Sequence, residues 1–66
     1  MMELIYDDEQ RPIGRCERCV GGWLWEVTAE NEVIGIGWEY EWLRAVTAAK
    51  RAHENWQSTH QNDHNQ

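Results

Sequence analysis

From Trp23 to Tyr40 the chain alternates between two kinds of residue, with one polar interruption at Asn31-Glu32. A period of two is the repeat of a β-strand, and two such runs joined by a short polar link predict an antiparallel hairpin. Trp23, Trp25, Val27 and Ala29 fall on one side of the first run. Ile34, Ile36, Trp38 and Tyr40 fall on one side of the second. A two-residue loop at 31–32 opposes Trp25 to Trp38 and Val27 to Ile36, gathering every large apolar residue on one face. A slip of one residue would scatter them. Asn31 tolerates the positive φ that tight hairpin loops require. The other face then carries Glu26, Glu30 and Glu39 around Gly35 and Gly37, with Glu32 in the loop.

From Glu41 to about Gln57 the period changes to that of an amphipathic helix. Trp42, Ala45, Val46, Ala49, Ala52, His53 and Trp56 form one stripe, and Arg44, Lys50, Arg51 and Glu54 lie off it. The alanines favour helix and allow a close seat on a sheet. Residues 58–66 contain no apolar side chain and are expected as a disordered polar tail. Before the hairpin, Leu4-Ile5-Tyr6 is strand-like and Asp7 to Gln10 turn-like. Pro12 to Cys16 returns as a short edge strand, where proline is tolerated, and residues 18–22 connect into the hairpin. The expected fold is α+β: one domain over 1–57, with three or four strands in antiparallel meander order and the C-terminal helix on one face.

With 66 residues, such a domain has little core to spare. The five tryptophans supply the reinforcement, each burying roughly 150–250 Å² when covered. At core periodicity they are read as core and not as a stacking platform. No apolar run is long enough to cross a membrane, and the first residues lack the pattern of a signal peptide. A cytoplasmic location is expected, with both cysteines reduced.

Cys16-Glu17-Arg18-Cys19 is the one motif with a chemical claim. Two thiolates at this spacing on a tight turn can both reach a zinc ion. Completing four ligands would take distant histidines (His53, His60, His64) or a second chain, so a zinc-linked homodimer through Cys16 and Cys19 is one alternative. The Val-Gly-Gly that follows does not open a helix, as a redox pair would require. No nucleophile, base and acid assemble into a catalytic set, so a non-enzymatic protein is expected.

Charge narrows the class of partner. The formal charge is −6, and residues 21–43 hold Glu26, Glu30, Glu32, Glu39 and Glu41 with no basic residue. An acidic chain repels phosphate backbones and attracts basic protein surfaces. The leading expectation is a small interaction module, of the build of phage-type inhibitors and regulators. It would bind a basic, nucleic-acid-binding surface of a partner protein through Glu26, Glu30, Glu32 and Glu39. The alternative is a nucleic-acid-binding module using Arg44, Lys50 and Arg51. Double-stranded-RNA-binding and AP2-like domains resemble the chain in outline only, since none of their motif residues is present.

Overall fold

The computed structural model describes residues 2–64, with side chains described as far as Thr59. Four strands, β1 (Met2–Tyr6), β2 (Pro12–Cys19), β3 (Gly22–Ala29) and β4 (Glu32–Glu39), precede one helix, α1 (Trp42–His64). The strands pair in chain order as an antiparallel meander. The helix packs on one face, chiefly over β3 and β4. This is the expected α+β architecture in its four-stranded form.

Three turns set the strand ends. Asp7 organises the first: its Oδ1 accepts the backbone N–H of Glu9 at 2.8 Å and of Arg11 at 2.9 Å, while Gln10 takes a positive φ. Gly21, at φ 80°, closes the second between Cys19 and Gly22. The third is a two-residue loop at Glu30-Asn31, both at positive φ (52° and 68°), between the paired Ala29 and Glu32. That is the pattern of a type I′ turn, whose twist matches the flanking strands. The loop therefore sits one residue earlier than expected. β2 is also longer than expected, runs inside the sheet with β1 as the edge, and includes Arg18 and Cys19.

A bulge, not the turn, changes the faces, since the loop at 30–31 alone would still set Trp25 against Ile36 and Trp23 against Trp38. Trp25 opposes Gly37, Val27 opposes Gly35, and Leu24 opposes Trp38, with the bulge leaving Ile34 unpaired between Val33 and Gly35. Gly35 and Gly37 thus lie on the helix side, not on the outer face. The Trp25 indole lies flat over them: a methyl on Gly37 would meet Trp25 Cζ2 at 2.6 Å, and one on Gly35 would meet Ala52 Cβ at 3.0 Å. Glycines are required where a ring crosses a neighbouring backbone this closely. The ring nitrogen of Trp25 is buried without an acceptor among the described residues, so packing alone holds the indole in place.

The fully covered centre is made of small and branched residues: Ile5, Ile13, Cys16, Val27, Ala45 and Ala49. Trp23, Trp25, Ile34, Val46 and Ala52 pack around it. The alanine stripe of α1 forms as expected. Its helix continues to His64, beyond the expected end at Gln57, and the Thr59 hydroxyl donates to the Asn55 carbonyl at 3.0 Å. Of the expected tail, Asn65 and Gln66 lie outside the described residues.

Candidate functional site

The face of the sheet opposite α1 has no second layer among the described residues. Alternation from the β3–β4 register puts Leu24, Glu26 and Thr28 there, with Val33, Ile36 and Trp38 beside them. Arg15 and Glu17 of β2 and Leu4 of β1 continue the same face. A one-layer sheet ordinarily keeps such a face polar. Here Leu24 is 41% exposed, Ile36 60%, Trp38 39% and, just past the strand, Tyr40 76%. Trp38 and Tyr40 meet edge to face, with ring centroids 4.6 Å apart. The Trp38 ring also lies over Gly22, at the start of β3, which fixes its orientation. The expectation that all large rings lie beneath the helix is corrected for Trp38 and Tyr40, because the bulge at Ile34 turns the strand after it over.

The four glutamates assigned to partner binding do not share one face. Glu26 is central on the open face, cross-strand from Ile36, and its Oε1 lies 3.2 Å from Arg15 Nε. Glu30 and Glu32 sit at the hairpin loop. Glu39 opposes Trp23 on the helix side and borders a groove with Leu43, Arg44, Thr47, Ala48 and Arg51. Glu17, which sequence reasoning passed over, lies on the open face opposite Leu24. Its signal was available only once β2 had been extended through residue 17.

The basic set divides as well. Arg44 and Arg51 border the groove beside β4, where Arg44 Nε holds Glu41 at 2.9 Å. Lys50 lies on the other flank of α1, against the acidic first turn with His53 and Glu54. Arg11 in that turn pairs with Asp7 at 3.2 Å and with Glu9. These contacts, with the backbone N–H bond from Arg11 foremost, hold the Asp7 carboxyl below its ordinary pKa.

The two cysteines do not converge. They stand in strand β2, not on a tight turn, and three residues of strand separate them by about 10 Å. Cys16 points into the core opposite Trp25, while Cys19 is exposed on the other face opposite Gly22. Two sulfurs on opposite faces cannot chelate one ion, and no cluster of three metal-ligating side chains occurs among the described residues. Burial, with the Glu3 charge second, raises the Cys16 thiol pKa above its ordinary value, against a hydrogen bond with the Trp42 side chain. The His60 and His64 side chains lie outside the described residues.

No helix among the described residues is long and apolar enough to cross a membrane. No protein-family model, curated protein or solved structure matches this chain.

Proposed function

We propose that this chain is a non-enzymatic protein-binding module that docks through the open face of its sheet onto a partner whose apolar patch is rimmed by basic residues. The observation carrying this reading is the exposed group Leu24, Ile36, Trp38 and Tyr40 on a face with no second layer. Contiguous exposed apolar surface of this kind marks interaction sites. Trp and Tyr are the residue types most enriched where binding energy concentrates. The rim supplies the sign: Glu17 and Glu26 adjoin the group against one base, Arg15, and Glu30 and Glu32 stand at the loop beyond its end. Complementary charge would speed encounter and orient the partner, while the apolar centre supplies affinity. A basic nucleic-acid-binding surface fits that description, and occupying it would make the chain an inhibitor or regulator.

The test is affinity capture from a native lysate with wild type, Leu24→Lys and Lys50→Glu. Leu24 is outward-facing and adjoins Glu17, so lysine is accommodated there without disturbing the core. A basic partner retained by wild type and by Lys50→Glu, and at least about tenfold less by Leu24→Lys, supports the face. Equal retention by wild type and Leu24→Lys rejects it.

A further inference from the structure

The two edges of the sheet are unlike. β1 is a five-residue edge with Glu3 as its second residue. β4 is an eight-residue edge with no proline or charged residue between its terminal glutamates, Glu32 and Glu39, and past its bulge at Ile34 it pairs regularly from Gly35 to Glu39. Long edges without lysine, proline or inward charge are templates for pairing with another strand. Beside this edge runs the groove formed by Glu39 and the flank of α1, where Leu43 is exposed and Thr47 and Ala48 are small.

We propose that two copies of this chain join antiparallel through β4 about Gly37. The product is one continuous eight-stranded sheet (twice the four strands of a single chain), with both helices side by side on one face. The dimensions agree. Strands are spaced about 4.8 Å apart, so a helix seated over β3 and β4 lies about one spacing from a two-fold axis beside β4. The two helix axes would be about 10 Å apart, at the upper end of the range for packed helices.

The positions along the axis agree as well. Ala52 stands over Gly35, and α1 runs back along β4 after a short link. Gly37 lies about 6.6 Å further along the strand, or about four residues of helix rise, which places Ala48 over it. Thr47 and Ala48, the small residues of the flank, would then meet at the axis. In that register Glu39 of one copy opposes Gly35 of the other, next to Ala52 and Arg51 of that copy's helix. The flank to be buried carries Glu39, Glu41, Arg44 and Arg51, two acids and two bases, and is neutral although the chain is not. Electrostatic complementarity on this flank therefore favours a second copy over a strongly basic ligand.

Sedimentation equilibrium up to roughly 1 mM protein tests the interface, using wild type, Thr47→Lys and Leu24→Lys. Thr47 is exposed in the single chain, so its replacement leaves the fold and the far-UV spectrum unchanged. The expected result is twice the chain mass for wild type and Leu24→Lys, with at least about tenfold weaker association for Thr47→Lys. Hydrogen exchange of the β4 amides would slow with rising concentration in wild type alone among the wild-type and Thr47→Lys pair. A monomer throughout, or a dimer that Thr47→Lys leaves intact, overturns the proposal. Neither result bears on the open face, which Leu24→Lys probes separately.

Discussion

Replacing Gly37 by alanine separates the observed register from the one with the loop at 31–32, because the two predict opposite signs. With Gly37 facing solvent, an added methyl would remove unfolded-state freedom and stabilise the fold by about 0.4–1 kcal/mol. In the structure it would lie 2.6 Å from Trp25 Cζ2 and 2.7 Å from Cε2 and Nε1. Carbon atoms pack at about 3.5–4.0 Å, so the indole must retreat by about 1 Å. It has little room, since its other end lies against Gly35 beneath Ala52. Overpacking of this kind costs about 1–3 kcal/mol, and the entropic gain offsets only part of it. A net loss of about 1–2 kcal/mol lowers the midpoint of a domain this size by about 5–15 °C. Thermal unfolding followed by far-UV circular dichroism at one fixed protein concentration reads it, the fixed concentration removing any contribution from association. In a Trp25→Leu background the same methyl has no ring to strike, and the double-mutant cycle should show coupling of about 1 kcal/mol. A raised or unchanged midpoint for Gly37→Ala refutes the placement of Trp25 over β4.

In native protein a thiol reagent should label Cys19 at once and Cys16 only on the unfolding timescale, with both reacting in denaturant. Equal native rates would contradict the burial of Cys16. Because the folded Cys16 thiol has a raised pKa, its contribution is complete below the unfolded value and is lost as pH climbs past it. Urea midpoints of wild type should therefore fall above roughly pH 8.5, and those of Cys16→Val should fall less. Asp7 has the opposite sign. Its depressed pKa stabilises the first turn above the unfolded value, so stability declines as pH drops below about 4, and Asp7→Asn should flatten that limb. Glu30→Gly should raise the thermal midpoint by a few degrees, equivalent to about 0.5–1 kcal/mol, because Glu30 holds a positive φ that glycine adopts without strain.

The class of fold was legible because two periods dominate the chain. Strand alternation ends near Tyr40, and the Ala45, Ala49, Ala52 stripe begins in the first turn of the helix that starts at Trp42. The register was not legible, and the reason is local. Asn31 invited a loop at 31–32, but a type I′ loop needs two residues at positive φ, and Glu30-Asn31 is the pair that provides them. Apolar counting favoured the phase with Ile36 and Trp38 beneath the helix, and it does not announce the extra residue at Ile34 that turns both outward. The decisive information was steric: Gly35 and Gly37 recur at the strand period, which in one phase is an unremarkable outer face and in the other a seat for an indole. A glycine pair in alternate positions, one of them opposite a tryptophan, carries that second meaning, provided the partner strand is known.

The extra residue at Ile34 accounts for what was mislaid at the candidate site. Shifting β4 sends Glu39 to the helix side and brings Ile36 and Trp38 out, so an acidic face becomes an apolar one with an acidic rim. Affinity and charge then belong to different residues. If the open face docks, neutralising Glu26 should slow association and weaken its salt dependence, whereas removing the Leu24 side chain should speed dissociation. Glu26→Gln is the more delicate change, because it also releases Arg15 from its 3.2 Å ion pair and adds a free cation to the rim. Comparing Glu26→Gln with Arg15→Gln therefore isolates the sign of the partner. A basic partner binds the first variant more slowly and the second faster. Equal effects of the two would mean that charge on this face steers nothing.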